Sequence, residues 1–394
     1  MAHPQTTLIP NLESPPLRLL LIITKGDIGG AQMSVYELAA ALHRRGVDVT
    51  VGYGGQDTFL AQKLEPAGIP TFTFRHLART YGPISNLRFI FEMKKIIEEQ
   101  KFSVVHFNSS NALLGAIGAT LARPKPKTIF TFRGLSVVDP EFTSSILKRW
   151  MYRQMFRVLL LFIDHSVFVS QENHAKAVMY GLAQKSSVIY NGLHPKTLTF
   201  YSAEEAQEKL SQTIHSSLAD RFVIGSIGRL AYQKNYEFLI RMMPRVISVI
   251  PNALCIIIGD GPKREEYHAL IKKLHLEKHC FLIGSIAEAR QYLKAFDVFV
   301  LPSRYEGLSV TLLETLFAGT PVLASDVGGN TEVLGEAGRM YPLDDESLFL
   351  KEMEKLASDT GLRKQLENEA HKRSPLFSIE KTASAYWELY VEHR

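Results

Sequence analysis

Short apolar runs separated by amphipathic stretches recur along almost the whole chain, and this alternation limits its fold more than any other feature. Leu17–Thr24 is apolar apart from Arg18 and its last residue, as expected of a strand buried on both faces of a parallel sheet. Similar β-branched or aromatic runs occupy Asp48–Tyr53, Thr71–Phe74, Ser103–Phe107, Thr128–Phe132, His165–Val169 and Val188–Tyr190. Residues 196–220 break the rhythm with a polar piece rich in Glu, Gln and Ser. The alternation then restarts at Phe222–Ile227, Leu254–Ile258, Cys280–Ile283, Asp297–Leu301 and Thr320–Ala324. Strands alternating with helices predict parallel sheets covered on both faces. The expected fold is therefore α/β, with two doubly wound halves facing a ligand cleft. The expected division is a disordered lead-in over 1–16, a first domain over 17–195, a linker region over 196–220, a second domain over 221–377, and a helix over 378–394.

A length of 394 residues fits two domains, each with its own core. The net charge of +5 suits anionic ligands or an anionic membrane surface, and equally suits plain solubility. Nothing in the charge pattern reads as a nucleic-acid interface. The two cysteines, Cys255 and Cys280, sit in apolar runs and read as small core residues of a reducing compartment. No Cys or His spacing suggests a metal, so none is expected. The first 16 residues lack the basic and apolar regions of a secretory leader. The longest apolar runs, such as Val158–Ile163, fall far short of the roughly 20 residues needed to span a bilayer. The expected location is cytoplasmic, with the inner face of the membrane left open. Lys148–Arg157 is basic and aromatic, and Arg123-Pro124-Lys125-Pro126-Lys127 adds charge. Such stretches suit either docking on anionic lipid or a helix whose arginine stems cover apolar surface.

The stretch with the most chemistry is Ser303-Arg304-Tyr305-Glu306-Gly307-Leu308-Ser309, between the strand ending at Leu301 and a helix predicted over Val310–Ala318. Free backbone N–H groups at Leu308 and Ser309 would form an anion site. Glu306 and Glu314 flank it. Glu314 lies in a mostly apolar helix, where a carboxylate needs a specific partner, and ribose hydroxyls would serve. Arg229 and Lys234 follow the first strand of the second half, at its carboxyl end, and suit a diphosphate. Gly261, in Gly259-Asp260-Gly261-Pro262, and Gly29-Gly30 after the first strand would let a ligand approach the backbone. The segment around Gly29 is not the G-x-G-x-x-G dinucleotide fingerprint. Taken singly, most of these pieces also read as ordinary basic loops or turns.

In combination they resemble the donor domain of the retaining glycosyltransferases of family 4, which have the GT-B fold of two Rossmann-like domains. The matching landmarks are Gly228, Arg229 and Lys234; Gly259-Asp260-Gly261; Pro302-Ser303 leading to Glu306 and Glu314; and Ser325-Asp326-Val327-Gly328-Gly329 with Glu332. The first half resembles the family's acceptor domain through Gly29-Gly30-Ala31-Gln32, Val104–Asn108, Ser170 and Ile189–Leu193. The resemblance implies that Arg229 and Lys234 bind the donor diphosphate. It further implies that Glu314 holds the ribose, that Glu306 holds the transferred sugar, and that the backbone at Leu308 and Ser309 meets the phosphates. It also implies that the last helix crosses back to the first domain. Where the family often has His-Gly, this chain has Arg133-Gly134. Arg133 is therefore a candidate phosphate ligand and His106 a candidate neighbour of the sugar.

The expected function is retaining transfer of a sugar from a UDP- or GDP-sugar to a glycan or lipid-linked acceptor, as in polysaccharide or lipopolysaccharide biosynthesis. No cofactor is expected beyond that co-substrate. A sugar-nucleotide epimerase of the same fold, or a non-catalytic nucleotide-sugar-binding protein, are the alternatives.

Overall fold

The computed structural model describes residues 17–27, 29–56, 59–78, 82–135, 138 and 145–392. The expected lead-in over 1–16 lies outside them. Two parallel sheets organise the chain. The first contains β1 (Arg18–Ile23), β2 (Asp48–Gly54), β3 (Thr71–Phe74), β4 (Val104–Phe107), β5 (Lys127–Phe132), β6 (His165–Phe168) and β7 (Ser186–Val188). Its spatial order is β3-β2-β1-β4-β5-β6-β7. The second contains β8 (Phe222–Ile227), β9 (Ala253–Ile258), β10 (Cys280–Leu282), β11 (Val298–Leu301), β12 (Val322–Ser325) and β13 (Arg339–Tyr341), ordered β10-β9-β8-β11-β12-β13. The strands read from the sequence agree to within a few residues at each end. Three-residue β13 was not read, because it is too short to carry a periodic signal.

Each sheet is sandwiched between two apolar layers. Helix Gly30–Arg44 and the tail helix Ile379–Val391 cover one face of the first sheet, and Ala383, Tyr386 and Tyr390 are buried against Leu19 and Leu21. Helices Pro83–Gln100 and Ile146–Leu160 cover the other face through Phe89, Met93, Phe156 and Leu159. Cys255 and Cys280 are both buried, on adjacent residues of β9 and β10.

The region read as a linker is packed more firmly than its polar composition suggests. Ala203–Ile214 is a helix capped by Ser202, whose hydroxyl accepts from Glu205 N. Ala206, Leu210 and Ile214 recur at helical spacing and sink into the core of the second half. The polar residues form the outer face, so only its ends act as a connection.

Candidate active site

Strand order decides where the loops converge. β8 and β11 are neighbours, yet their onward connections run to opposite sides, towards β9 and β12. A crevice opens at such a switch point, outside the carboxyl ends of the strands. The loop after β8 carries Arg229 and Lys234, and the loop after β11 carries Glu306. β1 and β4 form the equivalent switch point of the first sheet, with Gly29-Gly30 following β1.

Lys234 and Glu306 meet there. Lys234 Nζ lies 2.7 Å from Glu306 Oε1, with the side chains only 14% and 6% exposed. The Ser303 hydroxyl donates to the same carboxylate oxygen at 2.7 Å, and Gln233 Nε2 reaches the other oxygen at 3.4 Å. The loops are tied together by Arg304 N donating to Gln233 O at 2.8 Å and Gln233 Nε2 donating to Tyr305 O at 3.1 Å. Arg229 is exposed at the rim, with no ion pair among the described residues.

The helix start at Val310 is where the sequence placed it. Ser309 is the N-cap, its hydroxyl accepting from Leu312 N at 3.3 Å. The backbone N–H groups of Leu308 and Ser309 find no acceptor among the described residues. Facing them is the start of helix Gly30–Arg44: a Cβ built on Gly30 would stand 3.6 Å from Val310 Cγ2. Two helix N-termini, one from each half, thus point their positive ends into one gap.

Glu314 lies one turn further in, beside Arg290 Nη1 at 3.6 Å. Arg290 Nη2 also contacts Glu288 at 2.5 Å, and Glu288 pairs with Lys63 of the first half at 2.6 Å. Burial pushes the Glu314 carboxyl from 4.5 up to about 7, against the opposing pull of Arg290. Glu37 on the first helix is raised to about 7 for the same reason, with Arg290 again opposing. Sequence reasoning missed Arg290 and Glu37. Both lie on otherwise unremarkable helical turns: the folding of the second half brings Arg290 to Glu314, and the docking of the first half adds Glu37.

Three assignments need correction. His106 is not a cleft residue. It is completely buried, with Nδ1 2.7 Å from the Tyr390 hydroxyl and Nε2 2.7 Å from Thr131 Oγ1. Burial, reinforced by Arg133, holds its pKa well below 6.5, so it is a neutral tie between the first sheet and the tail helix. Arg133 does not present its guanidinium to the cleft either. Its Nη1 donates to Asn191 Oδ1 at 2.5 Å and its Nη2 to Asn108 Oδ1 at 2.6 Å. Gly261 faces neighbouring backbone rather than a ligand path, since a Cβ there would stand 2.4 Å from Leu230 O.

The halves touch through glycine. A Cβ on Gly307 would lie 2.0 Å from Arg133 O. Within the second half, Gly328, at φ +56°, would place one 2.1 Å from Glu306 O and so packs against the same loop. Polar bridges join the same surfaces. Asn191 Nδ2 donates to Leu308 O at 3.3 Å, and Asn173 Nδ2 donates to Glu306 O at 3.3 Å. Glu332 of the second half accepts from Gln171 N and Glu172 N at 2.8 Å each, capping a helix of the first. Sequence reading passed over Asn173 and Asn191 as site residues because isolated asparagines carry no pattern.

Comparison with known proteins agrees with this architecture. Residues 28–197 match the model of Glycosyltransferase Family 4, and residues 208–373 match that of Glycosyl transferases group 1. The chain is 26% identical over 328 residues to UDP-Gal:alpha-D-GlcNAc-diphosphoundecaprenol alpha-1,3-galactosyltransferase of Escherichia coli, covering 80% of this chain and 82% of that one. It is 29% identical over 203 residues to the N-acetylgalactosamine-N,N'-diacetylbacillosaminyl-diphospho-undecaprenol 4-alpha-N-acetylgalactosaminyltransferase of Campylobacter jejuni, covering 51% and 52%. Among solved structures, Anabaena HepE in complex with UDP and glucose superposes with a TM-score of 0.80 at 21% identity, covering 95% of this chain and all of that one. With a family model on each half and two doubly wound sheets meeting at their switch points, the chain belongs to the family 4 glycosyltransferases and has the GT-B fold.

Proposed function

We propose that this glycosyltransferase takes a sugar from a UDP- or GDP-sugar and adds it, with retention of configuration, to a glycan carried on a lipid diphosphate. The observation that carries this reading is the convergence of two helix N-termini at Gly30 and Val310, the second directly after the loop whose Glu306 pairs with Lys234. That much positive potential in one crevice suits a diphosphate. In this reading the diphosphate lies against the Leu308 and Ser309 amides, Arg229 and Lys234. Glu314 accepts from the ribose hydroxyls, and Glu306 accepts from hydroxyls of the transferred sugar.

Catalysis then consists mainly of positioning and of stabilising the leaving group. The bond from C1 of the sugar to the β-phosphate oxygen breaks. The acceptor oxygen bonds to C1 on the same face, and its proton passes to the departing diphosphate oxygen. The lipid-linked acceptor is supported by the two bacterial relatives whose names specify diphospho-undecaprenol substrates, and such an acceptor would be met at the inner membrane face.

The test is a thermal-shift panel of UDP- and GDP-sugars, followed by transfer assays with the stabilising donor. A ligand at a hundred times its Kd stabilises the native state by about 2.7 kcal/mol, so a true donor raises Tm clearly. A flat panel would remove the donor assignment. An epimerised donor in the absence of acceptor would replace transfer with epimerisation.

A further inference from the structure

The helix Ile146–Leu160 breaks the usual amphipathic rule. Its buried side is formed by Phe156 and Leu159. At 100° per residue the opposite, outward arc of about 140° holds Ile146, Leu147, Trp150, Met151 and Val158. These side chains are exposed: 76% for Ile146, 66% for Leu147, and 57% for both Trp150 and Met151. Arg157 lies within that arc and Arg153 near its edge, Lys148 and Arg149 lie about 60° outside it on either side, and no acidic residue occurs between Ser145 and Leu160.

A second helix repeats the pattern. Ile84, Leu87 and Phe91 of Pro83–Gln100 are exposed, and Arg88 is the one charge in residues 83–91. Both helices cover the same face of the first sheet. Both begin after the carboxyl ends of their strands, β3 and β5, on the edge where Gly29-Gly30 and the cleft lie.

We propose that the outward faces of these two helices form a docking surface for an anionic bilayer, seating apolar tips among the acyl chains beside the mouth of the cleft. The partner follows from the charge. Apolar tips with a cationic border and no carboxylates among them match acidic lipid headgroups, and Trp150 is the residue type that favours the headgroup boundary. A second copy fits less well, because a two-fold contact would set these cations against themselves. The inference rests on the lipid-linked acceptor reading and supplies its surface: a cleft opening beside the lipid plane receives such an acceptor without extracting its tail.

The test is co-sedimentation of the full chain with vesicles of phosphatidylglycerol and phosphatidylethanolamine, against phosphatidylcholine alone. The chain pellets with the anionic vesicles and not with the neutral ones. Lys148→Gln weakens partitioning about fivefold, and Ile146→Ser/Trp150→Ser weakens it about tenfold or more. The double variant keeps its Tm and its turnover on a short water-soluble glycan acceptor. Wild-type protein that stays in the supernatant, or a double variant that pellets like wild type, overturns the proposal. So does a vesicle-insensitive dimer that the double variant dissociates. Loss of turnover with every soluble acceptor in the wild type would instead count against the glycan-acceptor reading, whatever the vesicles show.

Discussion

Lys234 and Glu306 neutralise each other at 2.7 Å, almost out of contact with water. In the ligand-free protein each is therefore the other's counterion. Removing one leaves a buried charge alone, which costs about 3 kcal/mol or more. Lys234→Ala is expected to lower Tm, and Lys234→Ala/Glu306→Gln to recover most of that loss. Neither recovers turnover, because the proposed diphosphate and sugar contacts are gone. Thermal unfolding of the cycle checks this, and strictly additive effects would show that the pair is not coupled.

Glu314 and Glu37 give a pH signature. Each carboxyl has an ordinary pKa of 4.5 and is raised to about 7 in the folded chain. Between those values the native state holds protons that the unfolded state has released. Stability therefore falls as pH rises from about 4.5 to 7 and levels off above. Each carboxyl contributes a slope of at most about 1.4 kcal/mol per pH step of one. Glu314→Gln flattens that slope and is more stable than wild type at pH 8, yet binds nucleoside diphosphate more weakly. Denaturant melts across the range decide it, and unchanged slopes in the variant would sink the assignment.

Asn191 links Arg133 to the loop carrying Leu308 and Ser309. With its Oδ1 held by Arg133, its Nδ2 is left to donate to Leu308 O. Asn191→Ala is expected to loosen the loop around the Leu308 and Ser309 amides and lower kcat/KM for the donor about tenfold, or about 1.4 kcal/mol. Unfolding temperature should fall as well, because the buried Arg133 guanidinium loses an acceptor. Steady-state kinetics with varied donor would show the effect, and an unaltered kcat/KM would exclude a role in loop positioning.

Gly307 sits against the backbone of the first half. A methyl group there would lie 2.0 Å from Arg133 O, a backbone atom that cannot rotate aside. Gly307→Ala is expected to push the halves apart, costing about 1–3 kcal/mol, and to impair transfer. Faster amide exchange at Gln171 and Glu172, which are held by Glu332 across the same interface, is the accompanying sign. Protection equal to wild type would show that the interface absorbs the methyl group.

The parallel sheets and the helix at Val310 were legible in the sequence because buried parallel strands read as unbroken apolar runs and helices as periodic ones. The same is true of the places of Arg229, Lys234 and Glu306 in loops after strands and of Glu314 inside the following helix, which follow from order along the chain. Strand order in space, with its two switch points, came from tertiary structure. So did the inward turn of Arg133, the burial of His106 beneath Tyr386 and Tyr390, and the meeting of Glu37, Arg290 and Glu314. These depend on contacts between residues far apart in sequence, such as His106 with Tyr390 or Arg290 with Lys63 through Glu288. Local pattern carries the covalent neighbourhood of a residue, whereas its charge state and direction are set by what packs against it.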